Sequence, residues 1–220
     1  MKLIDPNGED FTNFEDEKGN LIKHIDDGSN AVFKLDLGGE NSVKNNKSFF
    51  RFSGYDKSQK GNNEINLQSV ISYSQSYAME KFTSDGSTTY CNYGAKFIAS
   101  SFRSAVCEIG FFDMDIKFLT NKASDIYTKI PSVLLLSGHD EAVKMATSLN
   151  SFDQPNLVFA CTKGHILTFT SDGYYCNIGG KSGNTIQKYP WLKNDKTTKY
   201  FYLSPTTTRE LLEGVTITPQ

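Results

Sequence analysis

A chain of 220 residues, 38% hydrophobic and 13% aromatic, can bury one core of about 150 residues and a smaller appendage. Its net charge of −2, with no basic block and no acidic tail, gives no electrostatic footprint for nucleic acid. No stretch approaches the roughly 20 apolar residues that span a bilayer, so no membrane insertion is expected.

Residues 1–6 carry no apolar run, so no signal peptide is expected and synthesis in the cytoplasm follows. Turn signals then recur at Asp5-Pro6-Asn7-Gly8, Asp16-Glu17-Lys18-Gly19-Asn20 and Asp26-Asp27-Gly28-Ser29-Asn30. Between them lie the strand-like pieces Leu21-Ile22-Lys23-His24-Ile25 and Ala31-Val32-Phe33-Lys34-Leu35. The pattern predicts a small β-rich appendage over residues 1–60, a meander of hairpins with His24 at its surface. It resembles the YD-type hairpin segments found before the toxic tips of Rhs and related polymorphic toxins; an ordinary β-appendage has the same pattern. Residues 44–63 are polar and predict a linker around one strand, Phe49-Phe50-Arg51-Phe52.

Residues 64–220 predict a single α+β domain. Leu67, Val70, Ile71, Tyr77 and Ala78 share a helical face with Ser74 in its gap, and Asn66 is the N-cap candidate. A polar run then breaks into a second helix, where Ala95, Ile98, Ala99 and Phe102 recur at i, i+3, i+4, i+7 and Cys91 heads the same stripe. Residues 121–130 form a short helix candidate that Pro131 stops. Residues 139–150 form another, with Ala142, Val143, Ala146 and Leu149 inward and His139 exposed at its start. Strands follow at 156–161, 165–170, 174–178 and 199–203, the middle pair joined by a tight turn at Ser171-Asp172-Gly173. Thr207-Thr208-Arg209-Glu210 is a capping-box pattern opening a last helix that Gly214 closes.

Chemistry concentrates on two stretches. A thiol at a helix N-terminus meets unpaired N–H groups and the positive end of the helix dipole, which lower its pKa and favour the nucleophilic thiolate. Cys91 occupies such a position, and His165 opens a strand in Thr162-Lys163-Gly164-His165-Ile166. Only the fold can bring the two together. If the tight turn pairs Thr170 with Tyr174, position 167 faces 177, and Asn177 lies diagonal to His165 on one sheet face. Asn177 is therefore the candidate that orients the imidazole. The two residues stand at element starts rather than mid-core, so alanine at either position is expected to leave the fold nearly intact. Cys107, Cys161 and Cys176 lie in or beside apolar segments and read as free thiols, although a Cys161–Cys176 disulfide across neighbouring strands is a second option. No C-x-x-C pair, zinc-spaced Cys/His cluster, GxSxG elbow or P-loop is present, so no metal or cofactor is expected.

The order of helix, nucleophile helix, helices and antiparallel sheet is the plan of papain-type cysteine hydrolases. Tyr90-Cys91-Asn92 opening a helix, Gly164-His165-Ile166 opening a strand and Asn177-Ile178-Gly179 after it resemble NlpC-like and CHAP-like peptidoglycan hydrolases. The likeness runs from about Asn66 to Leu203. It implies a papain-like (NlpC-type) domain with helices packed on an antiparallel sheet and the catalytic residues Cys91, His165 and Asn177. Tyr90 and Asn92, which flank the nucleophile, and Trp191, the one tryptophan, are candidates for substrate contact, with packing as the other role each could have. The chain departs from those families beside the nucleophile, where Asn92-Tyr93-Gly94 stands in place of their tryptophan-glycine pair.

Three functions fit these residues. One is an amidase or endopeptidase acting on the peptidoglycan stem peptide, outside the cytoplasm or in a target cell's periplasm, as an injected antibacterial effector or a phage-type lysin. The effector route would bring a periplasmic immunity or inhibitor protein as partner. The second is a Cys-His protease or deamidase toxin acting on proteins, and the third a binding module in which Cys91 and His165 are structural.

Overall fold

The computed structural model describes residues 10–37, 48–84, 90–110, 116–120, 122–149, 153–179, 183–188, 192 and 195–205. Trp191, Asn121 and the helix expected at 207–214 lie outside the described residues. The chain is α+β, and no described helix is long and apolar enough to cross a membrane.

The N-terminal strands β1 (Phe11–Glu15), β2 (Leu21–Asp26), β3 (Ala31–Asp36) and β4 (Phe49–Tyr55) form a sheet in the order β2-β1-β3-β4. It is not the expected meander: β3 runs parallel to β1. Residues 27–30 cross the start of β1 instead of turning back along β2. The Asp27 and Gly28 N–H groups both donate to the Asp10 carbonyl, at 3.3 and 3.1 Å. The Asp27 carboxylate accepts from the Thr12 N–H at 3.2 Å and the Thr12 hydroxyl at 2.9 Å. These bonds pair the Asp27, Gly28 and Thr12 N–H groups, as a buried backbone requires. His24 is half-buried and stacks on Phe11 at 4.8 Å.

Helix α1 (Leu67–Lys81) starts where the pattern places it, with the Asn66 side chain accepting the Ser69 N–H at 3.1 Å. Helix α2 (Cys91–Glu108) is buried on nearly every side over its first four turns, because α1, β4 and a second sheet all pack on it. Its Ser101 and Ser104 hydroxyls accept the Phe50 and Phe52 N–H groups at 2.9 and 3.0 Å, closing the edge of β4. Helix α3 (Ala123–Lys129) ends before Pro131. Helix α4 (His139–Thr147) ends earlier than the apolar spacing suggests. Ser148 is extended, so Leu149 drops out of the helical period and lies 58% exposed in a bridge to Pro155.

The second sheet is antiparallel throughout, in the order β5-β10-β6-β7-β8-β9. Its strands are β5 (Leu135–Leu136), β6 (Leu157–Cys161), β7 (Ile166–Phe169), β8 (Tyr175–Asn177), β9 (Thr185–Gln187) and β10 (Lys199–Leu203). Side chains alternate between its faces. Phe159, Cys161, Ile166, Cys176 and Phe201 join the core of α1 and α2. Val158, Ala160, Leu167, Phe169 and Tyr175 pack with Ala142 and Ala146 of α4 on the other side. Both faces are covered, so β6 and β7 are buried end to end.

Candidate active site

The start of α2 is seated against the ends of β7 and β8 by two close approaches that only glycine permits. A Cβ at Gly94 would stand 2.4 Å from Ile178 Cγ2. A Cβ at Gly179, where φ is +64°, would stand 2.6 Å from the Tyr90 backbone nitrogen. The Tyr90 N–H donates to the Gly179 carbonyl at 3.0 Å, tying the residue before Cys91 to the chain just after Asn177. Tyr90 supplies no side-chain cap to the first turn of α2.

Strand β7 is entered through the turn 162–165. The Thr162 hydroxyl accepts the His165 N–H at 3.1 Å, and the Thr162 N–H donates to the His165 carbonyl at 2.8 Å. The register of β7 on β8, Thr168 opposite Cys176 and Phe169 opposite Tyr175, is the one the tight turn implies. It brings Asn177 to the imidazole: His165 Nε2 and Asn177 Oδ1 are 2.8 Å apart. Asn177 Nδ2 donates to the Gly183 carbonyl at 3.3 Å, which fixes the amide's orientation. Its Oδ1 must then accept, so the hydrogen sits on Nε2, and Nδ1 is the nitrogen left to face the sulfur.

Cys91 completes the group. Burial pushes its thiol up, but hydrogen bonding and charge from His165, with the Ile166 and Asn92 N–H groups, outweigh this and hold it below the ordinary thiol value. Continuing the register would set Ile166 opposite Ile178, but β8 stops at Asn177 and the sulfur takes that N–H instead. For His165, burial acts downward, while the bond and charge of Cys91 and the bond from Asn177 outweigh it and raise the imidazole. The two directions agree: each partner favours the charged form of the other.

Cys91, His165 and Asn177 thus come together. Cys91 is only 2% exposed and belongs to the core, not to an open element start, whereas His165 is half-buried. Asn92 is buried, and half-buried Tyr90 sets its ring edge-on to Tyr93 at 5.5 Å. His139 is more enclosed than its position at a helix start suggests: its side chain is 19% exposed, and its ring lies 6.0 Å from those of Tyr175 and Tyr200. Thr162, Gly94 and Gly179 acquire placing roles that sequence does not announce, since threonine and glycine near a turn ordinarily signal only the turn. Among the described residues there is no cluster of metal-ligating side chains.

The other thiols behave differently. Burial pushes Cys161 up to about 12, with the charge of Cys91 adding to the effect, and burial pushes Cys176 to about 12. Both are free, and β7 separates their strands. Cys107 is exposed, because it falls off the buried stripe that Ala105 and Val106 continue. In a Cys107→Ser background, a limiting alkylating reagent at neutral pH is expected to label Cys91 first, as read by peptide mapping. Faster labelling of Cys161 or Cys176 would contradict this assignment.

No protein-family model, curated protein or solved structure matches the chain.

Proposed function

We propose that the chain is a papain-type cysteine hydrolase of the NlpC-like or CHAP-like kind that cleaves an amide bond of the peptidoglycan stem peptide. The observation that carries the reading is the His165 imidazole held by Asn177 through Nε2 at 2.8 Å while its other side pairs with Cys91. A nucleophile, a base and an orienting group in hydrogen-bonding sequence are the requirement for covalent acyl transfer. The nucleophile helix packed against β7 supports the same plan.

In this reading the Cys91 thiolate attacks the substrate carbonyl carbon, and the electron pair of the carbonyl moves onto oxygen. The Cys91 N–H at the start of α2 is the donor this reading assigns to the developing oxyanion. Collapse expels the amine, which takes its proton from the His165 imidazolium. Neutral His165 then draws a proton from water, whose oxygen attacks the thioester and releases the acid and the thiolate. The stem-peptide substrate rests on the likeness around Cys91, His165 and Asn177.

The test combines digestion of purified muropeptides with growth curves. Wild type is expected to release new amine termini, and Cys91→Ala and His165→Ala to release none while remaining folded. Expression in a bacterial cytoplasm is expected to be tolerated, whereas fusion to an export signal lyses the cells unless Cys91 is alanine. Killing by the cytoplasmic form alone would overturn the peptidoglycan reading in favour of a protein substrate. Full activity in folded Cys91→Ala would end the cysteine-hydrolase reading.

A further inference from the structure

We propose that Asn184 is a positioning residue that places both halves of the site, the nucleophile and the imidazole, from one side chain; this rests on the cysteine-hydrolase reading above. Asn184 stands between Gly183 and β9, half-buried, and spans three elements. Its Oδ1 accepts the Gly179 N–H at 2.6 Å. Its Nδ2 donates to the Met79 carbonyl, in the last turn of α1, and to the Phe82 carbonyl just beyond it at 3.3 Å. These carbonyls lie at the C-terminal end of the helix, where the intrahelical ladder runs out, so the amide both helps close α1 and anchors the chain after β8 to it.

Two chains of hydrogen bonds leave this anchor. On one, Asn184 holds Gly179, whose carbonyl accepts the Tyr90 N–H at 3.0 Å, and the next residue is Cys91. On the other, the carbonyl of Gly183, immediately before Asn184, accepts Asn177 Nδ2 at 3.3 Å, and Asn177 Oδ1 meets His165 Nε2 at 2.8 Å. The first sets where the sulfur stands; the second sets the tautomer and the plane of the ring. A catalytic constellation needs its supporting bonds to hold it within fractions of an ångström, and here they converge on one amide fixed to a helix. In sequence the residue is one asparagine in Lys181-Ser182-Gly183-Asn184, a stretch that reads only as a turn.

The test follows the rate of Cys91 alkylation from acid to neutral pH in a Cys107→Ser background, together with the nitrogen spectrum of the His165 ring. Asn184→Ala is expected to keep its far-ultraviolet circular dichroism, lose at least about tenfold of the acid-side rate, and show a second imidazole tautomer. Asn184→Asp keeps the size and the acceptor for Gly179 but cannot donate to Met79 and Phe82; it is expected to fold and to lose several-fold of the rate. A merely structural asparagine would lower the melting temperature and leave both readouts unchanged. A folded variant with the wild-type profile overturns the proposal, and so does failure of both variants to fold, which would make Asn184 a folding element. If Asn177→Ala shifts the profile while the Asn184 variants match wild type, only this proposal falls. If wild-type Cys91 itself shows no acid-side reactivity, the hydrolase reading falls with it.

Discussion

Residues 61–220 alone are expected not to fold. The N-terminal sheet supplies one wall of the core around α2. Phe14, Phe33 and Phe50 are each 0% exposed. Phe50 meets Tyr73 at 5.4 Å, Tyr77 at 5.0 Å and Phe97 at 5.5 Å, and Phe14 meets Tyr73 at 4.4 Å. Truncating one buried phenylalanine to alanine costs about 3–5 kcal/mol. Losing all three at once is therefore comparable to the roughly 5–15 kcal/mol by which domains are stable. Deletion would also strip the Phe50 and Phe52 N–H partners from Ser101 and Ser104, leaving two hydroxyls of α2 on an exposed apolar face. Circular dichroism and urea titration of the fragment check this, and Phe50→Ala in the full chain is expected to lose about 3–5 kcal/mol. A cooperative unfolding transition in the fragment would show that the sheet is dispensable.

The helices were legible because their signals are local. Asn66 before an apolar stripe marks the start of α1, and Pro131 marks the stop beyond α3. The site register was legible for the same reason: Gly173, at φ +75°, makes a turn of fixed length, with the Thr170 N–H donating to the Tyr174 carbonyl at 2.8 Å, and counting back from it carries 167 to 177. What could not be read is what depends on distant partners. The parallel pairing of β1 with β3, and β10 lying between β5 and β6, leave no mark on periodicity. The strands β5 and β9 are too short to show a period at all. Ser101 and Ser104 look like solvent-facing helix residues until a strand edge is found against them. Cys107 has apolar neighbours in sequence, yet its direction on the helix is outward and it lies exposed.

His165→Ala is expected to cost the largest share of activity and to move the reactivity of Cys91 to alkaline pH. In the intact site the thiol titrates below its ordinary 9.0 and the imidazole above its ordinary 6.5, each because of the other. The pair titrates as a unit, so turnover against pH is expected to be bell-shaped. Its acid limb, set by formation of the thiolate, lies below 9.0, and its alkaline limb, set by loss of the imidazolium proton, lies above 6.5. Removing the imidazole leaves burial, the largest influence on the thiol, acting upward with only the Ile166 and Asn92 N–H groups against it. The acid limb then moves to higher pH, alkylation at neutral pH falls by at least about tenfold, and turnover falls by about 10²–10⁴ or more with the general acid gone. Asn177→Ala acts on the other limb. It deletes a bond that raises His165, so the alkaline limb moves to lower pH while the acid limb moves less. Alkylation and turnover profiles of the two variants check the signs separately. An acid limb unmoved by His165→Ala would mean that Cys91 owes its reactivity to the helix terminus and not to the histidine, and the site would have no general acid.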